Sequence, residues 1–381
     1  MTNQTKNELP LNLLGTRVVV NSGSQIVSAA KTVRRPSTIV AVALAAAVLI
    51  PAATAQTPLV FKRDPINQQI EYSTMGAAWS PVPGGFTTNV APAAITWKNV
   101  VYLFGVKPDN SIQFNTLVSD GACGGVWTGW KSLPDDKKTD ASVAPVIFAG
   151  SLFLIRKDIA SRQLYITWTG DGTNWVAWQL MDSSTDPQHA IQADSGPTAA
   201  SMVWPATKDQ FLFVAIKDVG SNIRVKKYTY STNTWSAFVA MGGSDLGPSA
   251  TTVPTFTYGP PPLNCAPSIL CLGPLLESDT VYLVARDNSK NYIHVNKTVD
   301  GNTWSDWIYQ VLPVGAEPVP VANAAPSAFG GDGNLLVFAN VSGNFEGVKQ
   351  SLDGAAWSSW TVLPGSPSDV AVSATKGLAC L

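Results

Sequence analysis

The chain has 381 residues, of which 13% are charged and 45% hydrophobic, with a formal net charge of −1. That balance excludes a disordered chain and a basic nucleic-acid binder, and the length allows one large domain or two ordinary ones. Its 30 Gly and 27 Pro leave little room for long helices and favour many short strands joined by turns.

Residues 1–55 read as an N-terminal extension carrying a secretory signal. Lys31, Arg34 and Arg35 precede an apolar run from Ile39 to Ile50, and Ala53 and Ala55 are the small residues of a cleavage site expected after Ala55. The run is closed by Pro51 and is short for a stable membrane span, so an uncleaved anchor is the alternative. The expected secreted or periplasmic product, 56–381, has 20 basic and 25 acidic residues, a net charge of −5.

From Leu59 onward one pattern recurs. A small residue with Pro opens a strand (Ala91-Pro92, Ala144-Pro145, Gly196-Pro197, Ala325-Pro326), and an apolar strand such as "VVYLFGVK", "SLFLIRK" or "FLFVAIK" follows. A turn with Asp then leads to an alternating strand, and a hairpin leads to a tryptophan strand such as "DGNTWSDW". The leading tryptophans are assigned to Trp79, Trp127, Trp175, Trp235, Trp304 and Trp357, at spacings of 48, 48, 60, 69 and 53 residues. Four short strands per interval predict an all-β fold, a β-propeller of four-stranded blades. The C-terminal "DVAVSATKGLACL" matches the opening of a unit whose remaining strands are N-terminal. Closure through both ends gives six blades, with five or seven as alternatives.

Trp304 and Trp307 are three apart, which on a regular strand places them on opposite faces. Asp171-Gly172, Asp300-Gly301 and Asp353-Gly354 supply the positive φ and local hydrogen bonds of tight hairpins. Each is one residue shorter than a sialidase Asp-box, so the motif marks architecture rather than catalysis. The expected mature chain has only five Arg: Arg63, Arg156, Arg162, Arg224 and Arg286. Arg63, Arg156 and Arg286 fall at the same place in their units, with Lys107 and Lys217 nearby, which argues for a repeated role. No GxSxG, HExxH or P-loop pattern occurs. Four Cys without a CxxC pair and only two His argue against a zinc site, and no metal or cofactor is expected. Cys265 and Cys271 could close a small disulfide loop in an exported protein, with free thiols as the alternative.

The W-x-x-W-x-x-L-P units, the small-Pro strand opening and the Asp turn resemble the repeats of bacterial propeller lectins typified by the Photorhabdus lectin. They resemble six-bladed fungal fucose lectins more distantly. The resemblance covers roughly residues 57–381 and implies shallow inter-blade sugar sites of aromatic and polar or Arg side chains. It implies Arg63, Arg156 and Arg286 as the polar element and Trp97, Trp168 or Trp204 as the stacking element. The expected function is cofactor-free glycan binding; a sialidase-like or other propeller glycosidase and a protein-binding scaffold are the alternatives.

Overall fold

The computed structural model describes 58–74, 77–121, 124–182, 190–204, 207–241, 255–258, 280–286, 293–309, 326–331, 334–341 and 345–351, with short pieces at 184, 358, 360–363, 372–376 and 378. The expected signal, its cleavage site, Trp357 and all four cysteines lie outside the described residues. Residues Gln56–Leu381 form one compact unit.

The described strands make six antiparallel sheets, numbered here 1 to 6 along the chain. Their inner strands are Ser373–Thr375, Ala93–Trp97, Ala144–Phe148, Thr198–Val203, Thr255–Tyr258 and Ser327–Gly331. Each inner strand contacts the next in that order, and Ser327–Gly331 contacts Ser373–Thr375, so the ring returns to its start. This is an all-β propeller arrangement. Sheet 1 joins the two ends of the unit, because Leu59, Val60 and Phe61 pair with Thr375, Ala374 and Ser373.

The second strand of each sheet is covered on both faces by its neighbours, which explains why it reads as an unbroken apolar run. Leu152, Leu154 and Ile155 are fully buried, as are Phe213, Val214 and Ala215.

The outer strand departs from regular pairing in a repeated way. In sheet 5, Trp304 lies opposite Thr298 while Ile308 lies opposite Val295, so four steps on the outer strand match three on its partner. The same offset separates Trp127 from Lys131, Trp175 from Gln179 and Trp235 from Val239. One extra residue is a β-bulge, and it reverses the facing of every side chain beyond it. The bulge is tied down by Thr128, Val176, Ser236 and Ser305, whose N–H groups donate to Thr116, Trp168, Lys227 and Lys297.

This corrects the expected facing of the tryptophan pair. Trp304 and Trp307 pack on the same core cluster between sheets 4 and 5, and Trp175 and Trp178 share one between sheets 2 and 3. The register also reassigns Trp79. Because Ser80 faces Tyr72 as Gln179 faces Ile166, Trp79 stands with the second tryptophan, in one series with Trp130, Trp178, Phe238, Trp307 and Trp360.

The Asp-Gly turns hold the outer hairpins. The Asp171 Oδ1 accepts the Thr173 and Asn174 N–H groups, both at 2.8 Å, and Gly172 takes φ 83°. The Asp300 Oδ1 accepts the Asn302 and Thr303 N–H groups at 2.8 and 2.7 Å. These bonds hold the Asp171 carboxyl well below the usual range and that of Asp300 at about 2. A depressed folded pKa stabilises fully above the unfolded value of about 3.9 and ceases to do so as pH falls through the folded value. Acid unfolding followed by tryptophan fluorescence should therefore show stability declining below about pH 4. Asp300→Asn should make that decline shallower, and an unchanged acid limb would count against the turn's role.

Candidate functional site

The predicted cationic element does not share one register. Arg63 lies opposite Ile70 and Arg286 opposite Ile293, but the residue in that position of sheet 3 is Lys157, opposite Leu164. Arg156 is one residue earlier and therefore points to the other face. It is 1% exposed. Its Nη1 donates to the Lys138 carbonyl at 2.8 Å and to Asp158 Oδ1 at 3.1 Å. The guanidinium lies 4.7 Å from the Tyr165 ring and 5.1 Å from that of Trp178. Burial pushes its pKa down while Asp158 pulls it back up. Desolvation would raise the Asp158 carboxyl, but bonds from Ser161 and Arg156 outweigh it and hold it low.

Arg156 belongs to a repeated device, a buried cation under the outer aromatic. Lys62, fully buried, lies 3.6 Å from Glu71 and 4.5 Å from the Trp79 ring centroid. Lys226, also fully buried, pairs with Asp182 under Phe238. It is thus Lys62, and not Arg63, that meets Glu71 across the strands.

The predicted stacking element is equally divided. Trp97 is buried at the opposite end of its sheet, beside Tyr102 and donating from Nε1 to the Gly150 carbonyl at 3.3 Å. Trp168 is buried and stacked on Phe153. It is three residues from Tyr165, the cross-strand partner of Arg156, and hence about 10 Å away along the strand on the other face. Trp204 is half-buried against the core between sheets 4 and 5. Among the described residues, Arg156, Trp97 and Trp168 are buried within the sheets rather than open to a shared cleft.

A cleft of about 410 Å³ does open between sheets 1 and 2, within the range of about 300–1,000 Å³ usual for small-ligand sites. One wall is the Gly84–Thr87 loop leaving sheet 1; the other comprises Lys107, Pro108 and Asp109 on a sheet 2 turn, with Gln113 and Trp130. The half-buried Trp130 ring stacks on Phe86 with centroids 3.8 Å apart and planes at 18°. Two glycines permit this arrangement. A Cβ on Gly84, whose φ is 102°, would lie 2.9 Å from Trp130 Cδ1, and one on Gly105 would lie 2.4 Å from the Phe86 ring. The equivalent cleft between sheets 3 and 4 shrinks to about 20 Å³, with Phe238, Asp182 and Leu180 among its lining.

Trp130, Phe86, Asp109 and Gln113 were absent from the sequence-predicted site. Gly105, an isolated glycine within the strand "VVYLFGVK", was the available signal, since such a glycine marks a close approach by another group.

No protein-family model matches the chain, and no curated relative matches its sequence. Solved structures do match. A mutant of the Aleuria aurantia lectin in complex with α-methyl-L-fucoside is 16% identical with a TM-score of 0.57, covering 83% of this chain and 94% of that one. The BP39L lectin from Burkholderia pseudomallei is 15% identical with a TM-score of 0.55, covering 84% of this chain and 85% of its own. The Hadza microbial sialidase Hz136 is 15% identical with a TM-score of 0.51, covering 81% and 73% respectively. At these identities the likeness is one of fold: the chain is similar to propeller lectins and to a propeller sialidase.

Proposed function

We propose that the chain is a carbohydrate-binding, six-bladed β-propeller, made as an N-terminal extension and signal (1–55) and a secreted propeller (56–381), with glycan sites between neighbouring blades. The observation that carries this reading is the cleft between sheets 1 and 2, where the Trp130–Phe86 stack adjoins the polar groups of Lys107, Asp109 and Gln113. An aromatic face beside hydrogen-bonding groups suits a sugar ring, which is apolar on one face and polar at its edge. The cyclic contact of the inner strands supports the blade count, and the fucoside-bound lectin of similar fold supports glycans as the ligand class. Arg63 and Arg286 stand at matching strand ends and are retained as candidates for equivalent clefts. Arg156, Trp97 and Trp168 are buried and are left out. The sialidase likeness is one of fold and adds no catalytic residue.

Binding to a glycan array tests the proposal, with Trp130→Ala as its local probe. Loss of the stacked ring should weaken binding about tenfold or more, as for a 1–3 kcal/mol stacking contact. Absence of binding to every glycan printed would overturn the reading.

A further inference from the structure

We propose that the cleft between sheets 1 and 2 selects an acidic sugar, a uronic or sialic acid, whose carboxylate pairs with Lys107. This rests on the glycan-binding reading and names the ligand class of that site.

The inference begins from a charge reversal at one position of the repeat. Where the second strand enters its turn, the Asp64, Asp158 and Asp218 N–H groups donate to the Gln69, Gln163 and Asn222 carbonyls. The Lys107 N–H makes the same bond, to Ser111, so Lys107 occupies the place of an aspartate and not that of Lys157 or Lys217. In sheets 1, 3 and 4 this carboxylate secures its own turn, accepting from Ile66 N at 2.7 Å, Ser161 N at 3.0 Å and Asn222 N at 2.8 Å. In sheet 2 the task passes to Asp109, whose Oδ1 accepts the Ser111 N–H at 3.0 Å and hydroxyl at 2.6 Å. The turn makes no use of the Lys107 side chain.

That side chain lines the cleft, and among the described residues its ammonium has no hydrogen bond and no ion pair. The strand-end lysines of the next two sheets are neutralised, Lys157 by Asp140 at 3.0 Å and Lys217 by Asp194 at 2.9 Å. The nearby Asp109 is held ionised first by the Ser111 hydroxyl and N–H, with Lys138 and then Lys107 contributing less. An unspent positive charge therefore lies in the same cleft as an aromatic platform. A sugar carboxylate supplies its counter-ion, while Gln113 and the second Asp109 oxygen are available to ring hydroxyls.

The test uses the full-length protein and paired probes, methyl β-glucuronide against methyl β-glucoside and sialylated against asialo glycans on an array. The acid of each pair is expected to bind about ten- to a hundredfold more tightly, as for one charge-assisted contact, and less tightly at high salt. Lys107→Gln should abolish the preference and Lys107→Arg should keep it, both with an unchanged thermal transition, and Asp109→Asn should strengthen it. Equal binding of acid and neutral partners, or acid binding untouched by Lys107→Gln, overturns the inference and leaves the lectin reading in place. Binding of neither series, on array or in titration, overturns both.

Discussion

Arg156→Ala is expected to lower the unfolding free energy by about 3–5 kcal/mol, the range for truncating a buried charge and leaving a cavity. The guanidinium is 1% exposed and joins four elements: the Lys138 carbonyl on the incoming loop, Asp158 on its own turn, the Tyr165 ring on the third strand and the Trp178 ring on the outer strand. Arg156→Met keeps much of the volume and loses the charge, and should recover roughly half of the deficit because packing then survives while the hydrogen bonds do not. Urea unfolding read by tryptophan fluorescence measures both variants. A loss below about 1 kcal/mol in the alanine variant, the size of an exposed ion pair, would show that this arginine is not part of the sheet's core.

The second large effect is expected from Gly172→Ala. Its φ of 83° lies in the left-handed region, and a Cβ there would meet the Tyr102 Oη at 1.9 Å. Backbone strain of about 1–2 kcal/mol and overpacking of about 1–3 kcal/mol together predict a loss of about 2–5 kcal/mol. The two contributions can be separated. Tyr102→Phe removes the obstructing oxygen, so the double variant should be more stable than the sum of the single changes predicts, by about 1 kcal/mol or more. Strict additivity would mean that the turn moves away from sheet 2, and that the Asp-Gly hairpin does not set the spacing between these sheets.

Much of the architecture was legible in the sequence because repetition is a one-dimensional signal. The apolar second strands, the small-Pro openings and the Asp-Gly hairpins recur at intervals set by one sheet, and the C-terminal segment "SAT" at Ser373–Thr375 pairs with Leu59–Phe61. What failed was facing. A one-residue bulge leaves the spelling W-x-x-W intact and reverses the side on which its second ring lies, so the spacing alone gave opposite faces where Trp304 and Trp307 share one. A shift of one residue likewise separated Arg156 from Arg63 and Arg286, and the alternation of strand side chains turned it from a surface group into a buried one.

The candidate site was less legible for the same reason. Its parts are a loop glycine at Gly84, a strand glycine at Gly105, the second tryptophan Trp130 and a lysine in an aspartate's place. The sequence by itself determined the repeating strand unit, its turn chemistry and the pool of aromatic and charged residues, because these follow from local spacing and backbone preference. Only the tertiary structure decided which of them became core and which became cleft. Register and bulges set the face each side chain takes, and the approach of one sheet to the next decided that the Phe86–Trp130 stack would border open space while Phe238 would close over Lys226 and Asp182.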